Sequence, residues 1–365
     1  MKILLTGGTG YIGSHCALAL LQAGHSVTLL DNLSNSDAAV VSRIRQLYQP
    51  QSAEAAELSF IQGDIRDEVL LERLLSTQRY DAVMHFAGLK AVGESWLQPA
   101  DYYQHNFNGT LLLASLMQKH QLPCLLFSSS ATVYAASATA LDEQSPCAPA
   151  SPYGRSKYFV EAMLKDLQQA NPAFSVILLR YFNPAGAHHS ALLGEAPCGT
   201  PNNLLPFVAE VASGQRDEIQ VFGDDYPTAD GTGVRDYIHV EDVAQGHVLA
   251  LQQHQAEPGV HLYNLGRGQG YSVLQVIQAF EQSCGRVLPY RITTRRPGDL
   301  PSTVACADKA QQLLGFTARR DLQQMTDDAW RWQQQLQQRP VVQPQLSPIT
   351  DKATTGQDGV KHEPC

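Results

Sequence analysis

The chain has 365 residues, and its 26 Lys and Arg against 35 Asp and Glu give a formal net charge of −9, which argues against a nucleic-acid footprint. At roughly 100 to 200 residues per domain the length predicts two domains, and 44% hydrophobic with 17% charged residues provide ample material for a core. Apolar runs such as Leu111-Leu112-Leu113-Ala114 fall far short of the roughly 18 residues a membrane span needs, and Ile3-Leu4-Leu5 is too short for a secretory signal, so a cytoplasmic location is expected.

From the N-terminus, short β-branched runs alternate with longer amphipathic stretches, the pattern of βαβ units and a parallel sheet. Strands are predicted from Lys2 to Thr6, Ser26 to Asp31, Leu58 to Gln62, Ala82 to Phe86, Cys124 to Ser128 and Ser175 to Arg180. A helix from Ile12 to Ala23 places Ile12, Cys16, Ala19 and Leu20 on one side and stops at Gly24. Further helical periodicity runs from Pro99 to Gln118 and from Tyr153 to Gln169, the latter closing at Asn171-Pro172. Beyond about Asn183 the elements shorten and Gly and Pro become frequent. The expectation is an α/β fold: a Rossmann-type doubly wound parallel sheet over residues 1–182, then a smaller, loop-rich C-terminal substrate domain over 183–338, some of whose segments return to the first. The last 26 residues, from Pro340, hold four prolines and little periodicity, so 339–365 is predicted to be a disordered tail. Seven scattered cysteines, without a C-x-x-C pair or His at zinc-ligand spacing, predict free thiols and no metal.

Glycines 7, 10 and 13 in Thr6-Gly7-Gly8-Thr9-Gly10-Tyr11-Ile12-Gly13 fall between a predicted strand and helix. Lacking Cβ atoms, they let the backbone approach a pyrophosphate at the positive helix end. Asp31 ends the second strand 18 residues later, where a carboxylate accepts from an adenosine ribose 2′-hydroxyl. Asn32 follows with no adjacent Arg, so a 2′-phosphate would be repelled; the cofactor predicted is NAD rather than NADP. Downstream, Ser151-Pro152-Tyr153-Gly154-Arg155-Ser156-Lys157 sets Tyr153 and Lys157 on one helical face, where an ammonium favours phenolate over phenol and makes Tyr153 a base. Ser128 to Ser130 sit at the carboxyl end of a strand, where open α/β sheets bind ligands, so a hydroxyl there meets the oxygen that Tyr153 deprotonates.

Together the glycine motif, the strand-end Ser and Tyr-x-x-x-Lys resemble the extended short-chain dehydrogenase/reductase superfamily. Within it the chain is similar, over about residues 1 to 338, to the UDP-glucose 4-epimerase family. The likeness is dense in Asp31 to Ser36, His85 to Ser95, Ser128 to Tyr134, Tyr181 to Pro184, Gly231 to Val240 and Gly298 to Pro301. The resemblance implies reversible C4 epimerisation of UDP-glucose and UDP-galactose through a 4-ketopyranose, with transient reduction of a permanently bound NAD. Ser130, Tyr153 and Lys157 are then catalytic. Tyr11 and Ile12 line the pyrophosphate turn; Asp31, Asn32, Leu33, Ser34, Asn35 and Ser36 the ribose side; Asp64 and Ile65 the adenine. Phe86, Ala87, Gly88, Leu89, Lys90 and Asn106 follow the middle of the cofactor, and Phe182 approaches the nicotinamide. For the UDP-hexose substrate, Asn183, Asn203 and Leu204 contact UDP, Phe222 the uracil region, and Arg235, Arg296 and Asp299 the phosphates and ribose. Paired helices from Pro99 to Gln118 and Tyr153 to Gln169 imply a homodimer.

Two rival readings exist in the superfamily. Nucleotide-sugar 4,6-dehydratases place an Asp-Glu pair after the strand-end hydroxyl, where this chain has Ala131 and Thr132; non-enzymatic dinucleotide sensors lose the Tyr or the Lys, which this chain keeps. Departures from the pattern include Ala135 in place of a glycine, an Ala- and Pro-rich loop from Ala136 to Ala150, and a longer stretch from Gln49 to Glu57 that reads as a surface insertion. Four residues after Asp299, where epimerases restricted to plain hexoses commonly carry Tyr, stands Thr303. The smaller side chain implies room for an N-acetyl group at C2, and hence added activity on UDP-GlcNAc and UDP-GalNAc.

Overall fold

The computed structural model describes residues 1–49, 55–296 and 299–338. The predicted tail, 339–365, and the centre of the predicted insertion, 50–54, lie outside the described residues. In chain order the strands are β1 (Lys2–Thr6), β2 (Ser26–Asp31), β3 (Leu58–Gln62), β4 (Ala82–His85), β5 (Cys124–Ser130), β6 (Ser175–Tyr181) and β7 (Asn183–Ala185). Then follow β8 (Ile219–Phe222), β9 (Val234–His239), β10 (Gly259–Leu265), β11 (Gly270–Ser272), β12 (Tyr290–Thr293) and β13 (Ser302–Thr303). Seven of them form one sheet in the order β10-β6-β5-β4-β1-β2-β3, every neighbouring pair parallel.

The apolar runs within the central strands follow from burial on both faces. On one face, Ile3, Leu5, Leu29, Met84 and Leu126 pack under the helices Tyr11–Gln22 and Val240–His254. On the other, Leu4, Leu30, Val83, Leu125 and Leu178 pack under Glu68–Thr77, Gly109–Lys119 and Pro152–Ala170. The strand order reverses between β1 and β4, and the crevice outside their carboxyl ends is where such sheets bind ligands. β10 pairs with β6 from Gly259↔Ser175 to Leu265↔Tyr181, so the chain returns to the first sheet late in the sequence. A smaller layer of β7, β9, β11 and β13, with the separate pair β8 and β12, encloses a second core around Val208, Val221, Ile277, Phe280 and Met325.

One predicted helix is interrupted. The stretch from Pro99 to Gln118 is observed as Pro99–Tyr102, a π-helical turn Tyr103–Asn108, and Gly109–Lys119. Side-chain bonds compete with the helix here: the Thr110 hydroxyl donates to the Asn106 carbonyl at 2.5 Å, while the Asn106 side-chain amide bonds the Leu89 backbone, 17 residues away. Among the described residues no helix is long and apolar enough to cross a membrane.

Candidate active site

The turn after β1 is shaped by two glycines. Gly7 has φ +69°, and a Cβ there would stand 2.6 Å from the Ala87 nitrogen; a Cβ on Gly13 would stand 2.3 Å from the Gly7 carbonyl oxygen. Gly10 caps the helix Tyr11–Gln22 with no side-chain acceptor, so the first-turn N–H groups of Tyr11, Ile12 and Gly13 face out of the helix end. A cradle without side chains at a positive helix end fits a dinucleotide pyrophosphate. Beside it the Asp31 carboxylate accepts from Thr9 N at 3.1 Å, Leu33 N at 2.9 Å and Ser36 Oγ at 3.0 Å. Of its roughly four acceptor directions one remains for a ribose hydroxyl.

At the predicted adenine end, Asp64 and Ile65 both have partners within the protein. Both Asp64 oxygens are already engaged, Oδ1 by Arg66 N and Nε at 2.9 Å, Oδ2 by Arg66 Nη2 at 2.8 Å and Asn32 Nδ2 at 2.9 Å. Arg66 holds this carboxyl well below its usual range. The Ile65 side chain is buried in the core against Gly109, leaving only its backbone to the crevice. The rest of the ribose loop is ordered by Ser34 N on Asn32 Oδ1 at 3.0 Å and Cys198 N on Asn35 Oδ1 at 3.0 Å.

The segment after β4 runs along the same crevice. Ala87 N donates to the Thr6 carbonyl at 3.1 Å, Leu89 N to Asn106 Oδ1 at 2.8 Å, and Asn106 Nδ2 to Leu89 O at 3.0 Å. A Cβ on Gly88 would stand 2.8 Å from Asn106 Oδ1 and 4.0 Å from Lys157 Nζ, so this segment lies against both side chains. Phe86 packs on His247, and Lys90 is drawn away to Glu195 at 2.5 Å.

The catalytic candidates converge at the end of β5, which is two residues longer than predicted and terminates in Ser130. Ser130 Oγ accepts from Thr132 N at 3.2 Å and Thr132 Oγ1 at 3.0 Å. Ser151 caps the helix Pro152–Ala170 through Gly154 N at 3.0 Å, and Pro152 opens its first turn. Gly154 allows that turn against the strand end, since a Cβ would lie 2.6 Å from the Thr132 carbonyl oxygen. Tyr153 and Lys157 are both buried. Burial pushes the Tyr153 phenol above its usual value and the Ser130 hydroxyl pulls it back. The lowering expected from Lys157 is not found in this geometry. Its ammonium donates to the Ser128 carbonyl at 2.8 Å and lies 4.7 Å over the Phe127 ring; burial brings its own pKa down to about 8, opposed by Glu161.

The predicted nucleotide-sugar residues gather on the smaller layer. Thr303 on β13 pairs with Arg235 on β9, whose guanidinium donates to the Val234 and Leu300 carbonyls at 2.8 Å and meets Asp299 at 3.5 Å. Arg296 stacks 3.7 Å over Phe222. Asn183 lies on β7 opposite Tyr237, while Asn203 precedes the helix that starts at Leu204 and donates to Glu195 at 2.8 Å. Phe182 is buried with Ala131, Val133, Tyr134 and Ala305. The Ala- and Pro-rich loop closes through Ala135 N on the Pro146 carbonyl at 2.8 Å and plugs Leu141 into that cluster. Sequence reasoning missed Glu195, which joins Lys90 to Asn203, and Asp236, whose buried carboxylate accepts from the backbone of Arg267, Gly268 and Ala305 beside Thr303. No local motif marks either, because each meets its partners only across the fold.

A parallel sheet with a glycine turn at its switch point, a Ser at the end of a nearby strand and a Tyr and Lys on the helix packed against it defines a dinucleotide-dependent enzyme of the short-chain type. The chain belongs to the NAD dependent epimerase/dehydratase family, whose model matches residues 3–266. It is similar to the UDP-glucose 4-epimerase of Neisseria gonorrhoeae, 51% identical over 334 residues that cover 91% of this chain and 97% of that protein. Among solved structures, the UDP-glucose 4-epimerase of Bifidobacterium longum in complex with NAD⁺ and UDP matches with a TM-score of 0.87 and 46% identity, covering 92% of this chain and 98% of that one. The UDP-Glc/GlcNAc 4-epimerase of Campylobacter jejuni matches with a TM-score of 0.78 and 35% identity, over 92% and 99% of the two chains.

Proposed function

We propose that this chain interconverts UDP-glucose and UDP-galactose by inverting C4 of the hexose with NAD as its resident cofactor. The observation that carries this reading is the convergence of Ser130, Tyr153 and Lys157 on the crevice that also holds the glycine cradle and Asp31. NAD, when bound, supplies reversible two-electron acceptance at C4. The cradle at Gly7, Gly10 and Gly13 holds its pyrophosphate, and Asp31 its ribose. Tyr153 Oη takes the proton of the sugar 4-hydroxyl and returns it after the 4-ketosugar has turned its other face. Ser130 Oγ donates to the same oxygen, and Lys157, one helical turn beyond Tyr153, brings a positive charge to the same crevice. A hexose that must turn over is held weakly, so grip belongs to the nucleotide end, at Phe222, Arg235, Arg296 and Asp299. Ala131 and Thr132 offer no carboxylate to move a C5 proton, which disfavours dehydration. Conversion of UDP-galactose to UDP-glucose by purified protein without added NAD tests the reading; a strict need for added NAD overturns the resident cofactor.

Two finer readings accompany it. Thr303, half-buried on β13, leaves room for a C2 N-acetyl group, so UDP-GalNAc and UDP-GlcNAc are also substrates. The exposed Val92, Trp96, Leu97, Leu111 and Phe159 line helices near the site and make an apolar patch fitted to a second copy of the chain, giving a homodimer in the cytoplasm. Sedimentation equilibrium of the wild type and Trp96→Glu tests the dimer, which the substitution is expected to break.

A further inference from the structure

The helix that carries Tyr153 and Lys157 holds a third buried ionisable group. Glu161 lies one turn beyond Lys157 and is fully enclosed, and Arg180 on β6 is 2% exposed. The guanidinium grips the carboxylate with both arms, Nε to Oε1 at 2.8 Å and Nη2 to Oε2 at 2.5 Å, and Ser129 Oγ donates to Oε1 at 2.5 Å. Behind the pair, the Tyr134 ring lies 4.7 Å from the guanidinium and its hydroxyl donates to Asn264 at 2.7 Å. One carboxylate therefore ties together the catalytic helix, the strand that ends in Ser130, and β6.

Stability alone does not account for this arrangement. Buried ion pairs are often replaceable by apolar side chains of similar size without loss, whereas removal of one partner leaves an uncompensated charge. The same seam already has apolar packing from Val160 and Leu164 against Phe127 and Leu178. A bidentate pair adds what apolar contacts lack: it fixes the rotation of the helix and its height against the strand.

We infer that Glu161 and Arg180 are positioning residues for proton transfer, locking the Tyr153 and Lys157 helix onto the Ser130 strand and setting a negative charge behind the Lys157 ammonium. The groups that face Lys157 are Tyr153 and Glu161 from its own helix, His85 from β4, and Tyr181 from β6 through the Ser128 hydroxyl, with Arg180 behind Glu161. Of these only Glu161 is a carboxylic acid, and its charge opposes the loss of the Lys157 proton that burial favours. The inference rests on the assignment of Tyr153 and Lys157 above.

The test compares the NAD-containing wild type with Glu161→Leu/Arg180→Met, Glu161→Gln, Arg180→Lys and Tyr153→Phe. Melting temperature, NAD content, kcat, KM for UDP-galactose and the pH profile of kcat are measured for each. The double variant is expected to melt near the wild type and keep its NAD, yet lose about 10-fold or more in kcat with KM within about twofold. Its alkaline limb moves to lower pH, as does that of Glu161→Gln, which keeps an acceptor for Ser129 but not the charge. Arg180→Lys, which keeps the charge but not the fork, lowers kcat without moving the limb as far. A folded double variant with wild-type kcat and pH profile overturns the inference. Failure of all three pair variants to yield folded, NAD-containing protein overturns it too, because the pair then serves the fold and not the reaction. A Tyr153→Phe enzyme with wild-type rate would instead remove the underlying assignment, so the two failures are distinguishable.

Discussion

Lys157→Met separates the cost of burying the Lys157 cation from its proposed catalytic use. Burial lowers the Lys157 pKa from 10.5 to about 8, so the folded protein resists a charge that the unfolded chain accepts freely. The sign follows directly. Between about pH 8 and 10.5 the unfolded state binds a proton that the folded state does not, and stability rises with pH across that window. Below pH 8 the penalty is complete, and at about 1.4 kcal/mol per pH unit it amounts to about 3 kcal/mol. Met carries no proton, so its profile lacks this rise. The lost bond to the Ser128 carbonyl and any lost cofactor contact offset the variant by constant amounts and leave the slope untouched. Urea unfolding in excess NAD, followed by tryptophan fluorescence from pH 7 to 10.5, gives the difference between wild type and variant. That difference is expected to move toward the wild type by about 3 kcal/mol, while the variant's turnover is at least about 100-fold lower throughout. Parallel stability profiles for the two proteins would refute the claim that Lys157 is held charged against burial.

Tyr153→Phe keeps ring volume but removes the proton carrier, so turnover falls by at least about 100-fold with NAD still bound, as single-turnover and extraction assays would register. Denatured wild type should release about one NAD per chain and little NADP; Asp31→Ala weakens retention, and unchanged NAD content in that variant contradicts the ribose role. Wild type should turn over UDP-GalNAc as well as UDP-galactose, and Thr303→Tyr should selectively abolish the former; no UDP-GalNAc activity in the wild type removes the dual-specificity reading. Gly13→Ala drives a Cβ to 2.3 Å from a backbone oxygen, so it should cost at least about 1–3 kcal/mol in unfolding and lose NAD, whereas a fully loaded, equally stable variant refutes the cradle.

Much of this was legible because the signals are local. Glycines between a strand and a helix, a carboxylate at the next strand end and Tyr-x-x-x-Lys each constrain the backbone or a helix face within a few residues, and β1, β2 and β3 fall on their predicted limits. What periodicity leaves out is the bonding of folded side chains. Asp64 is engaged by Arg66, two residues on, and by Asn32 from the β2 end. The π turn at Tyr103–Asn108 depends on Leu89, and helical periodicity has no means of showing it. Lys157 shows the same limit: spacing places it beside Tyr153, but only burial reveals that its charge is disfavoured.

The segment after β7 touches the cofactor side of the crevice at three separate points: Tyr11 Oη on the Gly186 carbonyl at 2.7 Å, Lys90 on Glu195 at 2.5 Å, and Cys198 N on Asn35 at 3.0 Å. They act like three latches on one door. On the function proposed above, a dinucleotide beneath them would escape only while all three are open, and the probabilities of independent openings would multiply. Residence time would then lengthen far more than any single contact suggests, through the exit rate. A cofactor that must survive many turnovers, each passing through a moment when losing it would strand a ketosugar, is served by slow escape rather than by tight equilibrium binding alone.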